Sequence, residues 1–364
     1  MRKLASIKLI SDIQPIDGKD RIELAIVDGW QVIVKKGEYI VWDKTIFIEI
    51  DSVLPEKPEY EFLKSKNYRI KTMKLGGVLS QGICFPLSLL PTDIEYTPEQ
   101  DVTDLLGIVQ YSTIRDVESE DTNKVDNKKF QHPVFKFLFR SKLIRKLLLP
   151  KKENKGFPDF IHKTDETRIQ NIPFVLRNKN QKYIVREKID GQSGTFFLRK
   201  LPNKWFWKKE SFDFGVCSRN LRLWTENSSS YWYVAKKYNI KNVLEQLIGD
   251  NEFVAIQGEC VASNVQGNKY KVTEPDLYAF NLIYPDGKVD CISGEAILKQ
   301  FGIKWCPLIS KQYTLPDSVN ELLDYATGKS VLSNTLREGI VLRNYDKNTS
   351  FKAVSPEFLI KYNE

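Results

Sequence analysis

Apolar and polar positions alternate in short runs over the first hundred residues, a period of two that predicts strands rather than helices. Residues 30–34 (Trp-Gln-Val-Ile-Val) form one run, 45–50 (Thr-Ile-Phe-Ile-Glu-Ile) a second and 68–75 (Tyr-Arg-Ile-Lys-Thr-Met-Lys-Leu) a third. Gly76-Gly77 marks a turn into a fourth run that ends at Pro86. Short strands punctuated by Gly and Pro predict a small barrel. In the third run Arg69, Lys71 and Lys74 make a basic face that either tracks a phosphate backbone or is simply solvated.

The pattern changes after about residue 105. Residues 112–130 carry almost no large apolar side chains and read as a linker. Residues 134–152 form a basic amphipathic segment. Such a segment can meet a membrane or RNA, and more often packs its apolar face on the next domain. From about 155 onward helices and strands alternate irregularly. A serine cap and a terminal glycine bracket a helix over 228–249, and shorter helices are expected over 293–301 and 317–325. Residues 253–261, 277–284 and 339–343 read as strands. The fold class is α+β: an N-terminal OB-type β-barrel, then a domain of antiparallel sheets with flanking helices. The expected boundaries are 1–111 for the barrel, 112–130 for the linker and 131–364 for the second domain.

Composition narrows the chemistry. The chain has 364 residues and a formal charge of +8, which favours a polyanionic partner. Its five cysteines are scattered, without Cys-x-x-Cys, and only two histidines are present. That argues against a structural zinc site and against a histidine-based triad. The cysteine usage suits a reducing, cytoplasmic setting. The N-terminus lacks a signal-peptide apolar stretch, and no apolar run reaches membrane-spanning length, so no membrane partner is expected.

The candidate chemistry begins at Glu187-Lys188-Ile189-Asp190-Gly191. A strand over 182–186, a turn at 191–194 and a strand from 195 read as strand–turn–strand, and Lys188 at the strand end is a candidate nucleophile. A lysine attacks only as the free amine, which a nearby cation or desolvation can supply. Further charged residues sit where buried strands should be apolar: Arg219, Glu259, Glu338 and Lys352. Carboxylates near a nucleophilic lysine can hold Mg²⁺ directly or through its waters, and few are needed. A plain hairpin, an edge-strand carboxylate or a surface lysine would explain any one of these residues taken singly.

Their order resembles that of the covalent nucleotidyltransferase superfamily of ATP-dependent ligases and capping enzymes. Lys188-Ile-Asp-Gly191 is similar to motif I, Ser218-Arg-Asn220 to motif Ia and Gln257-Gly-Glu259 to motif III. Leu277-Tyr-Ala-Phe280 is similar to motif IIIa and Glu338-Gly-Ile-Val-Leu-Arg343 to motif IV. Ser350-Phe-Lys-Ala-Val with Phe358-Leu-Ile-Lys361 is similar to motif V. Two features resemble RNA ligases, specifically the type with an N-terminal OB domain (RNA ligase family 5). One is Lys163-Thr-Asp-Glu-Thr-Arg168 ahead of motif I; the other is the barrel's position before the motifs, with three residues left after Lys361.

The resemblance implies an ATP-dependent RNA ligase that joins 3′-OH and 5′-phosphate RNA ends through lysyl-AMP and RNA-adenylate, in RNA repair. It implies Lys188 as nucleophile and Lys352 as the phosphate cation. It implies Asp190, Glu259 and Glu338 on Mg²⁺ or Mn²⁺, mainly through water, or on a ribose hydroxyl. Phe280 would stack on adenine, Glu187 would read its exocyclic amine, Gly191 would line the nucleotide, and Arg168 and Arg219 would hold phosphates or ribose. Motif V departs from the common Lys-x-Lys: Val354 stands where the second lysine is usual, and Lys361 is the candidate substitute. Residues 203–210 resemble an insertion. A monomer is expected. The alternatives are a GTP-dependent capping-type guanylyltransferase, a DNA ligase, and a non-catalytic RNA-binding protein on a ligase scaffold.

Overall fold

The computed structural model describes residues 3–111, 156–163, 165–202, 210–345 and 349–362. The expected linker (112–130), the amphipathic segment (134–152) and nearly all of the insertion-like stretch lie outside the described residues. The chain divides into two compact units that interleave along the sequence. One takes in the residues up to Tyr111, Glu166–Ile189 and the chain from Pro307 on. The other takes in Asp190–Cys306 and the described residues just before Glu166.

The first unit opens with the barrel. Ala5–Pro15 pairs antiparallel with both Ile22–Val27 and Lys44–Ile48; Trp30–Lys35 and Ile83–Phe85 complete the sheet. The sheet nearly closes on itself, because the Gln81 N–H donates to Gln31 O (2.7 Å) and the Ile33 N–H to Ser80 Oγ (3.1 Å). Ile7 and Ile46, opposite each other on paired strands, and Trp30 and Phe47, whose rings meet at 5.6 Å, are almost completely buried. The expected strand over 68–75 shortens to Met73–Leu75. Upstream, Asn67 and Tyr68 adopt left-handed backbone (φ 52° and 55°), which ends a 3₁₀ stretch and prevents extension there. Arg69 turns inward: it is 8% exposed, reaches Asp51 at 3.4 Å and lies over the Tyr111 ring at 3.5 Å.

The same unit holds a five-stranded sheet in the order Thr167–Arg168, Ser350–Val354, Gly339–Asn344, Tyr183–Lys188, Leu308–Tyr313. One face is apolar. Tyr183, Val185, Ile340, Leu342, Phe351 and Ala353 cluster there with Leu322, Leu323 and Ala326 of helix Val319–Ala326. That helix starts with a Ser-x-x-Glu capping box: the Ser318 hydroxyl accepts from the Glu321 N–H. The barrel meets this sheet through Arg168–Asn171. The Gly29 N–H donates to Gln170 O (2.9 Å), Trp30 Nε1 to Asn171 Oδ1 (2.6 Å), and Asn171 Nδ2 to Glu49 Oε1 (2.7 Å).

The second unit is built on a six-stranded sheet: Ser211–Cys217, Gln192–Leu201, Phe253–Val261, Asp276–Tyr284 and Gly287–Lys288 in order, with Lys304–Trp305 beside Asp276–Tyr284. The long pairs are antiparallel, as expected. Two short parallel pairs make the sheets mixed: Thr167–Arg168 on Ser350–Val354, and Lys304–Trp305 on Asp276–Tyr284. The single helix expected over 228–249 is two, Ser230–Lys237 and Ile240–Leu247. Asn239 in left-handed backbone (φ 46°) separates them, a conformation a helix interior cannot hold. Ser229 caps the first helix. The strand–turn–strand around Lys188 is not a hairpin. Tyr183–Lys188 belongs to the first unit's sheet and Gln192–Leu201 to the second's.

Candidate active site

Strand alternation places the first unit's charged residues. With Tyr183, Val185 and Glu187 on the core side, Ile184, Arg186 and Lys188 leave the other face. Register carries that face across the sheet: Arg186 stands opposite Val341, Val341 opposite Lys352, and Lys352 opposite Arg168. The face therefore holds Lys188, Arg186, Lys352 and Arg168. Lys188 ends its strand opposite Gly339, so Glu338 lies directly alongside, and Lys188 Nζ meets Glu338 Oε2 at 2.6 Å. The Ser355 N–H to Glu338 O bond (2.8 Å) fixes that backbone. Gly339 is required there, because a Cβ would sit 2.2 Å from Ala353 O.

Arg168 is nearly buried, with Nη2 3.1 Å from Asp51 Oδ2, so the barrel's Asp51 touches both Arg69 and Arg168. Glu187 leaves its strand on the face opposite Lys188. Its carboxylate points to the core side, is 1% exposed, and accepts from Ser330 Oγ (2.5 Å) and the Val331 N–H (2.7 Å). Burial pushes this carboxyl above its ordinary range, against the pull of those two donors. It braces the 330–331 loop. Lys361 sits exposed on helix Pro356–Tyr362, off the sheet, with its ammonium 5.3 Å from the Tyr362 ring.

In the second unit one sheet face changes character along its length. Phe197, Phe253, Ala255 and Ile283 lie under Phe157, Phe160 and Ile161 at one end. Gln257, Asn281, Glu259, Tyr278 and Ser193 carry the same face on as a polar surface. Glu259 Oε1 accepts the Gly191 N–H (3.2 Å). Gly191 admits no side chain, since a Cβ would lie 2.6 Å from Cys260 O and 2.9 Å from Glu259 Cγ. Phe280 is the extra residue of a β-bulge: Gln257 pairs with Asn281 and Gly258 with Ala279. Bulges re-aim side chains beside active sites. Arg219 is half-exposed, with Nη2 3.9 Å from Asp165 Oδ2.

Asp190 has partners that no motif announced. Lys269 Nζ lies 2.5 Å from Asp190 Oδ2, and both side chains are under 10% exposed. The Asp190 N–H donates to Tyr270 Oη (2.7 Å). Among the described residues no cluster of three His, Cys, Asp or Glu forms a ready metal cage. The acidic set still suits a hard cation held through its own waters, since Asp190 and Glu259 offer only oxygen.

The comparisons agree with this architecture. A model of the RNA ligase family matches residues 181–362, half of the chain, and an OB-fold domain matches residues 4–87. A solved RNA ligase of Naegleria gruberi with PPi is 29% identical, with a TM-score of 0.80 over 100% of this chain and 99% of that one. A variant of that ligase with ATP and Mn gives 29% and 0.79 over 100% of both chains. Another, with AMP and Mn, gives 30% and 0.78 over 98% of both. A comparison with curated proteins found no match. The chain belongs to the RNA ligase family, with an N-terminal OB-fold domain. No helix among the described residues is long and apolar enough to cross a membrane.

Proposed function

We propose that this enzyme seals RNA with ATP, joining a 3′-hydroxyl to a 5′-phosphate in the repair of broken RNA. The observation that carries the reading is Lys188, at a strand end within the ligase-matched region and 2.6 Å from Glu338. Lys188 Nζ attacks the α-phosphorus of ATP. An N–P bond forms, the bond to the β-phosphate oxygen breaks, and pyrophosphate leaves. Glu338 is placed to take the proton that the ammonium must lose. A 5′-phosphate oxygen of RNA then displaces Lys188 from the α-phosphorus, giving RNA-adenylate. The 3′-hydroxyl attacks the 5′-phosphorus, and AMP leaves. Dividing one hard displacement into three follows the logic of covalent catalysis.

Negative charge grows on phosphoryl oxygens in each step, so fixed cations matter most. Lys352 takes that role on the Lys188 face, and Arg168 and Arg219 hold phosphates. Asp190 and Glu259 would hold Mg²⁺ or Mn²⁺ through water, and the ion would supply charge neutralisation at the phosphates. Phe280 stacks on adenine and Gly191 lines the nucleotide. The bound ATP and AMP of the Naegleria structures support the choice of nucleotide. The division into an OB domain (1–111), a linker (112–130) and a ligase domain (131–364) is part of the same reading. So are a monomer and a reducing compartment, the latter supported by the burial of all five cysteines.

The test is incubation with Mg²⁺ and α-labelled ATP or GTP, wild type beside Lys188→Ala, on a denaturing gel. Acid-labile label on the wild type from ATP, absent in the variant, is expected. Label from GTP instead would turn the reading to a capping-type guanylyltransferase. No label would leave an RNA-binding ligase scaffold.

A further inference from the structure

A single loop of the second unit makes three contacts with the turn that follows Lys188. Lys269 pairs with the Asp190 carboxylate, Tyr270 Oη accepts the Asp190 N–H, and Gln266 Nε2 lies 3.5 Å from Gly191 O. The loop's conformation is imposed. Gln266, Gly267, Asn268 and Lys271 all have positive φ (46°, 67°, 50° and 55°), and the Asn268 side chain bonds Val272 N and O. Backbone in this region is costly for residues other than glycine, so the contacts it secures are specific ones.

Two of these contacts are neutral. The third places a full positive charge on a carboxylate, with both ends less than 10% exposed. Burying an ion pair carries a desolvation penalty, and a neutral amide in place of the lysine would leave the buried Asp190 carboxylate without a compensating cation. The same loop already uses an amide, Gln266, on Gly191. A charge kept at such a cost acts as a charge. It sits on the carboxylate that the proposed function assigns to the hydrated divalent ion.

Building on that function, we propose that Lys269 is a positioning residue that occupies Asp190 in the nucleotide-free enzyme and holds off the divalent cation until a polyphosphate arrives with it. Two cations at one carboxylate repel each other strongly in a buried setting. The negative charge of a triphosphate offsets that repulsion. Metal and nucleotide therefore enter together, and free metal alone binds weakly.

The experiment measures Mn²⁺ binding to the full chain without nucleotide, by loss of the free Mn²⁺ EPR signal. It compares wild type, Lys269→Met, Lys269→Gln, Lys269→Arg and Tyr270→Phe, each checked for native circular dichroism. The neutral variants should bind Mn²⁺ about ten-fold more tightly or better. Lys269→Arg should restore weak binding, and Tyr270→Phe, which keeps the charge, should match wild type. Wild type with a non-hydrolysable ATP analogue should retain more Mn²⁺ than the protein alone and the analogue alone together account for, a measurement that needs no variant to fold. Unchanged or weaker Mn²⁺ binding in both neutral variants overturns the proposal, as does retention with the analogue no greater than that sum. Labelled lysyl-AMP on the wild type is read in parallel. Its absence defeats the proposed function, whereas its presence with unmoved Mn²⁺ affinities defeats the Lys269 role alone.

Discussion

Glu187 and Lys188 are neighbours in the chain, yet their side chains leave opposite faces of one strand. Glu187 reaches into the core side to Ser330 and Val331, and Lys188 meets Glu338 on the other side. The pH dependence of stability follows from the first of these. Burial raises the folded-state value of Glu187 above its unfolded one, so its contribution is fully present below the unfolded value, near 4.5, and is lost as pH rises through the folded value. Glu187→Gln removes the titration. The stability of wild type relative to this variant should therefore fall as pH rises above about 4.5, as read by urea melts at several pH values. A difference that is flat or rises with pH would contradict the sign.

Gly339 allows the strand pairing that sets Glu338 beside Lys188. Gly339→Ala brings a Cβ to 2.2 Å from Ala353 O, a clash with backbone that cannot rotate away. A loss of about 3 kcal/mol or more is expected. Gly37→Ala is the comparison: its φ is +74° but nothing lies within 4 Å, so only conformational strain of about 1 kcal/mol applies. Thermal melting of the two variants should separate clash from strain.

Asp51 pairs with two arginines, and losing it removes one contact from each. Asp51→Ala should cost about 2–3 kcal/mol, somewhat under the loss for a fully buried pair because Asp51 is 23% exposed. A double-mutant cycle with Arg168→Ala should give a coupling of about 1–2 kcal/mol. Additive losses would show that the contact carries little energy.

Lys352 and Lys361 are the two motif V candidates, and only Lys352 shares the face of Lys188. Lys352→Ala should slow lysyl-AMP formation by about a hundred-fold or more, the scale for removing a cation or donor from a developing oxyanion. Lys361→Ala should stay within about three-fold of wild type. Initial rates with labelled ATP make the comparison, and a severe Lys361→Ala defect would reassign the second motif V role to it.

Much of this architecture could be read from local pattern. Phe253–Val261 and Gly339–Asn344 announce themselves by apolar content, and the charged residues within them are conspicuous for that reason. The barrel follows from short alternating strands. What escaped depends on contacts between distant residues. Lys269 lies 79 residues from Asp190, in a Gln-Gly-Asn-Lys stretch that reads locally as an ordinary turn. Only a charged residue amid turn formers hinted at it. The break at Asn239 also escaped, because one left-handed residue leaves the helical periodicity on both sides intact. The partners of Glu187 also escaped, because Ser330 and Val331 lie more than 140 residues away in the chain.

The alternation of faces along Tyr183–Lys188 constrains the length of the chain as firmly as the identity of its residues. Losing one codon between Tyr183 and Lys188 would carry the lysine to the apolar side and turn the acid outward, silencing the nucleophile without deleting it. The exposed turn at Asp17-Gly18-Lys19, between Ala5–Pro15 and Ile22–Val27, has open space around Gly18 and no face to keep. In related genes, gains and losses of codons should gather at such turns and be purged from the six-residue segment that ends in Lys188.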